Sequence, residues 1–258
     1  MDGILKTIVD RIIKDEAERF RNFEAAAFPL VSREAPIDIL ERCQGAFLMI
    51  AEVKKGSPSR GVIREDYDPA RIARSYQEGG ASAVSVITEK NYFFGDPDDL
   101  GRVKNAIRLP VLRKDFIVHE CQIYESYNWG ADLVLLIAAC LGPGELNRLH
   151  RVAVSLGMRV LVEIRDELEL EWAMEAHPRI IGINNRDLIT FEVDWTRSLR
   201  LRPLVPPGIC LISESGIHSH AQIQALQKAG FSGVLVGEHL MKQDDPIRAL
   251  RNLIHGQS

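Results

Sequence analysis

FLMIAEVKKGSPSRG, residues 47–61, opens as an apolar strand and closes as a polar loop. Glu52 and Lys54 stand two positions apart, so strand alternation turns both to one face. The loop behind them separates two architectures. An open, doubly wound sheet wants a G-x-G-x-x-G turn after its first strand, and KKGSPSRG is not one. A closed parallel barrel makes no such demand and places its chemistry on polar groups at strand ends.

Seven more apolar runs follow the first, FLMIAEV (47–53). They are AVSVI (83–87), VLRKDF (111–116), LVLLIA (133–138), RVLVEI (159–164), IIGINN (180–185), ICLISE (209–214) and GVLVGE (233–238). That spacing suits βα units, and near-continuous aliphatic runs mark parallel strands buried on both faces. The segments between read as helices. One opens with an Asp68 cap and Pro69 in its first turn, and others stop at Gly130, Gly157 and Gly230. Eight strands with room for eight helices predict an α/β fold, a (β/α)8 TIM barrel.

Ahead of the first run, residues 3–28 read as an amphipathic helix, with Ile4, Ile8, Ile12 and Ile13 on one side and Leu5 and Val9 widening the stripe. A second helix is expected around residues 37–42. The chain is thus expected to form a single barrel domain over 1–258, with 1–46 as an N-terminal helical extension.

The totals narrow the class. A chain of 258 residues with 46% apolar and 26% charged side chains reads as a soluble globular protein. A net charge of -4 does not suggest a nucleic-acid surface, though it leaves room for a local basic patch. No run approaches the length of a membrane span, and the charged N-terminus is no signal peptide. Cys43, Cys121, Cys140 and Cys210 form no C-x-x-C pair, so no zinc knuckle is expected. Cys140 and Cys210 read as core residues in a reducing, cytoplasmic compartment.

Charged and polar residues recur at the C-terminal ends of the runs: Glu52 and Lys54, Lys114 and Asp115, Glu163, Asn184 with Asn185 and Arg186, then Glu214 and Ser215. Taken singly, each fits a structural ion pair. Together at one mouth they need a further reason, since burying a charge is costly unless it is paired. Lysines crowded in a partly dry pocket are expected to have lowered pKa values and to serve as general acids, with a glutamate as base. SESGI (213–217) and LVGEHLM (235–241) fall in the last two units, where this fold commonly binds phosphate. Gly216 and Gly237 let backbone N–H groups approach an anion, and Ser57 and Ser59 face them from the opposite side. Two ordinary βα turns are the plainer alternative. EKNYFFGDPDDL, residues 89–100, reads as a flap or as a loop packed on the barrel. His119 and His218 read as caps or surface groups, and His177 as a loop residue. No histidine–carboxylate constellation suggests a metal.

The stretches IAEVKKGSPSRGVI, ITEKNYFFG, LPVLRKDFIV, LVEI, IGINNRDL, ISESGI and VLVGEHLM, in this order, resemble the indole-3-glycerol phosphate synthase family of tryptophan biosynthesis. The resemblance runs over essentially the whole chain. It implies ring closure, decarboxylation and dehydration of 1-(2-carboxyphenylamino)-1-deoxyribulose 5-phosphate, a carboxy-lyase reaction without cofactor or metal. It implies Lys114 as the general acid at the C2 carbonyl, Glu163 as the carboxylate of the later dehydration, and Lys54 as a second catalytic lysine. Glu52 would hold the lysines, Asn184 would lie near the reacting region, and Arg186, Glu214 and Ser215 would support the charge network. The phosphate would sit among Ser57, Gly216, Gly237 and the backbone of Glu238, and the aromatic ring against Phe93, Phe116 and Leu135. The N-terminal helix would partly cover the mouth. Relatives often carry a small residue where this chain has His239. At that position a histidine would add a pH-dependent contact to phosphate between about pH 5.5 and about pH 8.

Two other readings compete. Phosphoribosylanthranilate isomerase shares the anion loops but wants a cysteine–aspartate pair, and the first strand offers Glu52 and Lys54 instead. A non-catalytic barrel that binds a phosphorylated metabolite has no use for Lys54, Lys114 and Glu163 together. The expected partner is a small phosphorylated substrate, with no nucleic acid and no membrane, in a monomer or weak homo-oligomer.

Overall fold

The computed structural model describes residues 3–21, 23–43, 45–187 and 190–256. Its centre is a closed barrel of eight parallel strands in chain order. They are β1 (Leu48–Val53), β2 (Ala83–Ile87), β3 (Val111–Lys114), β4 (Leu133–Ile137), β5 (Arg159–Ile164), β6 (Ile180–Asn184), β7 (Cys210–Glu214) and β8 (Gly233–Val236). The barrel closes where Leu48 pairs with Gly233 and Ile50 with Leu235. Each of the eight expected apolar runs contains one of these strands.

Alternation sorts every strand into two sets. Leu48, Ile50, Leu112, Leu133, Leu135, Leu161, Ile180, Ile212 and Leu235 fill the interior. Met49, Ala51, Val84, Val86, Val134, Leu136, Val162, Ile181 and Val234 face outward and pack under the helices. Both faces are apolar because both are covered, which is why the runs are nearly continuous.

Two helices, α1 (Gly3–Arg19) and α2 (Ile39–Cys43), precede the barrel, and the covering helices are α3 (Pro69–Gly79), α4 (Pro97–Ala106), α5 (Glu120–Asn128), α6 (Ala138–Ser155), α7 (Glu167–Glu175), α8 (Thr196–Leu201), α9 (His220–Lys228), the short α10 (Glu238–Met241) and α11 (Pro246–His255). Asp68 caps α3 by accepting from the N–H groups of Ala70 and Arg71. His119 caps α5, its ring accepting from the Cys121 N–H while the Gln122 side chain reaches back. α6 is broken at Gly142, whose φ of 65° ends a first turn before Pro143 restarts the helix.

The extension departs from its sequence pattern. Helix α1 spans Gly3–Arg19 and ends well short of residue 28, and only a 3-10 turn follows at Ala25–Ala27. Tertiary packing overrides helix propensity here: Phe20 stacks on His119, and Phe23 and Phe28 pack on Tyr124. Ile8, Val9 and Ile12 are buried as expected, but Ile13 is 46% exposed, because the helix meets the barrel along a narrower stripe. The side chains of Ile4 and Leu5, expected on the same face, lie outside the described residues, as does Asn22 within the expected helix. Each buried aliphatic side chain of the stripe contributes about 1.5–3 kcal/mol to docking α1.

From α1 the chain runs down the outside of the barrel to its floor. The Asn128 side chain holds Pro29 and Val31. Arg33 donates to the carbonyls of Tyr127 and Ala131 and reaches the buried Asp132 carboxylate. Asp132 also accepts from the Ile37 and Val111 N–H groups, both at 2.8 Å. Helix α2 (Ile39–Cys43), with Asp38 accepting from the Leu40 N–H, then closes the N-terminal end. There Ile39 joins the interior cluster, and the Cys43 and Cys210 sulfurs lie 2.9 Å apart as free thiols. Cys210 is buried as expected, whereas Cys140 is only half-buried, because it sits in the turn that leaves β4 at the rim.

Candidate active site

All eight strands deliver their C-terminal ends to one rim, around a cavity of about 640 Å³. The inward rows of the odd strands end on charged residues: Glu52 in β1, Lys114 in β3, Glu163 in β5 and Glu214 in β7. Alternate strands supply the four side chains of one barrel layer. The topmost layer here is therefore ionic, stacked on aliphatic layers below.

Lys114 is its centre. Its Nζ lies 2.6 Å from Glu163 Oε2 and 3.0 Å from Glu214 Oε2. The Asn184 amide donates to Glu163 Oε1 at 3.0 Å, and Ser215 Oγ donates to Asn184 Oδ1 at 2.9 Å. The Arg186 N–H also donates to Asn184 Oδ1, so the amide orientation is set from two sides. Beside this group Lys54 Nζ pairs with Glu52 Oε1 at 2.8 Å, which brings together the acid and base of the first strand.

Glycines make room for the carboxylates. A Cβ at Gly182 would lie 1.9 Å from Glu214 Oε1, and one at Gly237 would lie 2.3 Å from Glu52 Oε1. Gly182 sits inside β6, within IIGIN, and a glycine inside an aliphatic strand marks a close approach. The glycine was legible in the sequence, but its carboxylate partner lies 32 residues on and no local pattern names it.

The electrostatics correct one expectation. Burial acts to lower the Lys114 pKa, but Glu163, Glu214 and Glu52 outweigh it and hold the ammonium well above its ordinary range. The lysine is raised, not lowered, because it is ringed by carboxylates. Burial likewise works against the Glu163 carboxylate, yet Lys114 and the Asn184 amide hold it below its ordinary value. Glu214 goes the other way. Burial pushes it up to about 8, with Glu163 and Glu52 adding to the rise against the pull of Lys114. Its Oε1 is buried without a hydrogen-bond partner. One layer thus holds an ammonium donor between a carboxyl held below its ordinary value and one raised above it, a set suited to general acid–base work.

The remaining sites fall on the cavity walls. Phe93, Phe116 and Leu135 line one side, with the two rings 6.2 Å apart. Glu89 shapes that wall by accepting from the N–H groups of Asn91, Tyr92 and Phe93. The opposite wall carries Ser215, Gly216, Gly237 and Glu238, with left-handed φ values of 68° at Ser215 and 79° at Gly216. Arg186 pairs with Glu238 at 3.0 Å. Ser57 stands outside the lining: it lies in a small hairpin (Gly56–Ser57 with Gly61–Val62) and faces Ser59 Oγ at 3.5 Å. The Asp115 carboxylate binds Arg113, and Asn185 is tied to Ser198 and Ser213, so both brace the frame. His239 lines the cavity, and its pKa is lowered by burial and by the nearby His218 and Lys242. Arg60, Lys242, His218 and Trp195 also line it; nothing local in the sequence marks them. No described residue of α1 reaches the lining. Among the described residues, no group of three or more His, Cys, Asp or Glu side chains is placed to hold a metal ion, and no helix is long and apolar enough to cross a membrane.

A closed (β/α)8 barrel with an ionic acid–base layer at its C-terminal rim defines a barrel enzyme. Solved structures of low sequence identity share the fold. A thiamine phosphate pyrophosphorylase from Pyrococcus furiosus matches with a TM-score of 0.60 at 15% identity, over 81% of this chain and 94% of that one. KGPDC from Streptococcus mutans matches with a TM-score of 0.61 at 9% identity, over 80% and 94%. Sequence comparison goes further. Residues 2–253 match the family model for indole-3-glycerol phosphate synthase. The chain is 45% identical to the indole-3-glycerol phosphate synthase of Sulfurimonas denitrificans, over 100% of this chain and 99% of that one. It is 44% identical to that of an Acidovorax species, over 98% and 99%. The chain belongs to the indole-3-glycerol phosphate synthase family, carboxy-lyases of tryptophan biosynthesis.

Proposed function

We propose that the rim cavity converts 1-(2-carboxyphenylamino)-1-deoxyribulose 5-phosphate to indole-3-glycerol phosphate, with Lys114 as the principal acid. The observation that carries this reading is the Lys114 ammonium, held between Glu163 and Glu214 and open to the cavity. As the aromatic ring carbon attacks the C2 carbonyl, negative charge grows on its oxygen. A fixed ammonium there stabilises that charge and supplies the proton. Carbon dioxide then leaves and the ring regains aromaticity. In the dehydration that follows, Glu163 takes a proton from the substrate and Lys54 assists departure of the hydroxyl. Glu52 orients Lys54, Asn184 orients Glu163, and Ser215 orients Asn184. Glu214 holds Lys114 in place from the other side.

Phe93, Phe116 and Leu135 receive the anthranilate ring. Gly216, Gly237 and the backbone of Glu238 receive the phosphate at the other end, where Arg186, Arg60 and Lys242 add positive charge. We read residues 1–258 as one domain with 1–46 as its extension, working in the cytoplasm as a monomer or weak homo-oligomer. Free cysteines at all four positions fit a reducing compartment.

The test follows product fluorescence from purified protein and substrate, with Lys114→Ala alongside. Product from the native chain, lost in the variant, is expected. Product from both would move the acid role to Lys54. No product from a folded protein that still binds the substrate would overturn the catalytic reading in favour of a binding role.

A further inference from the structure

Glu238 carries three cations on one carboxylate. Lys242 Nζ lies 2.6 Å from it, Arg186 Nη2 3.0 Å and Arg60 Nε 3.2 Å. They come from separate segments: Arg60 follows β1, Arg186 follows β6, and Lys242 follows α10. All four side chains line the cavity, on the wall that also carries Gly216 and Gly237. From this geometry we infer that Glu238 is an internal counter-anion, occupying the cations that the substrate phosphate must take over, and so setting phosphate affinity. The inference rests on the reading of that wall as the phosphate site.

First, three cations against one carboxylate leave a surplus of two positive charges, which matches a phosphate monoester carrying close to two negative charges. Second, two of the three pairs are cheap to exchange. The Arg60 side chain is 59% exposed and that of Lys242 is 47% exposed, and solvent-exposed pairs contribute little. A phosphate offers more charge and three acceptor oxygens, which suits the guanidinium forks better than one carboxylate. Third, Glu238 stays charged in the free protein. Burial acts against it, but Lys242, Arg186 and Arg60 together hold its carboxyl below its ordinary value. His218 and His239 also line this wall and add positive charge only when protonated. A carboxylate fixed at this point repels any anion that fails to engage the cations. The chemistry it selects is therefore a phosphate dianion, and singly charged anions are disfavoured.

The experiment is a calorimetric titration of the full chain with inorganic phosphate at about pH 7.5, beside competition of phosphate against substrate. Four proteins are compared: native, Glu238→Gln, Glu238→Asp and Lys242→Gln. Glu238→Gln keeps the shape and removes the charge. It is expected to bind phosphate roughly threefold to tenfold more tightly, the range that weak exposed pairs supply, with a steeper loss of affinity in salt. Glu238→Asp keeps the charge and is expected to stay near the native affinity. Lys242→Gln is expected to bind more weakly. Equal or weaker phosphate binding by Glu238→Gln, with binding otherwise intact, overturns the counter-anion role and leaves a positioning role. If phosphate neither binds nor competes in any of the four, the phosphate wall itself is wrong and the inference falls with it.

Discussion

Lys114 Nζ lies 2.6 Å from Glu163 Oε2, although β3 and β5 are separated by β4 and never pair. The contact exists because alternate strands of a barrel share a layer, so side chains two strands apart meet across the axis. The β4 residue paired with Glu163 is Ile137, and it stays out of the ionic layer. Lys114 and Glu163 are 49 residues apart in the chain, and each is the partner that keeps the other charged.

Glu163→Gln keeps the shape of the side chain and removes its charge. The Lys114 ammonium then loses its shorter ion pair, and in the proposed mechanism the dehydration loses its base. Steady-state kinetics are expected to show kcat lower by about 10²–10⁴, the range for loss of a general acid–base group, with a much smaller change in KM.

Glu214 gives a pH prediction with a definite sign. Its folded pKa is about 8 against an ordinary 4.5, because burial disfavours its charge. A carboxyl that binds its proton more tightly when folded contributes stability below its unfolded value and loses it as pH rises toward about 8. Glu214→Gln removes that contribution to the slope. Thermal melts at about pH 5 and about pH 8.5 are expected to differ less in the variant than in the native chain.

Gly182→Ala tests the space behind the same carboxyl. The new Cβ would sit 1.9 Å from Glu214 Oε1, which is the free end of a side chain and has to swing away. Lys114 then loses its second partner. We expect a fall in kcat with destabilisation of about 1–3 kcal/mol, the usual cost of overpacking. An alanine variant with native kcat would show that Glu214 does not hold Lys114.

Gly233→Ala separates structure from chemistry. Its Cβ would meet the Leu48 Cβ and carbonyl oxygen at 2.5 Å, where β8 closes the barrel against β1. The Leu48 backbone, held in its strand, leaves little room to give. The melting temperature is expected to fall by at least several degrees, from a loss of roughly 1–3 kcal/mol or more. The ionic layer lies at the other end of the strands, so the kcat of the surviving folded protein is expected to stay close to native.

What was legible in the chain was what depends on neighbours along it. Period-two alternation in β1 put Glu52 and Lys54 on one face, and they pair at 2.8 Å. The spacing of the runs implied eight βα units, and Asp68 and His119 cap their helices as polar residues before helix starts do. The family resemblance carried the roles of Lys114 and Glu163. Position parity alone sent Lys114, Glu163 and Glu214 inward, since a strand has only two faces.

What the tertiary structure decided were relations between distant segments. It ended α1 at Arg19, where Phe20 and Phe23 find His119 and Tyr124. Arg186 it turned to Glu238, and Ser57 it left outside the cavity lining. It also reversed the expected shift of Lys114. The partners of that lysine lie 49 and 100 residues away, and their distances exist only once the barrel closes. Local pattern sets which face a side chain takes, because that depends on backbone geometry. Coulomb interaction and burial set what the side chain can do, and both depend on separations through space that only the closed barrel establishes.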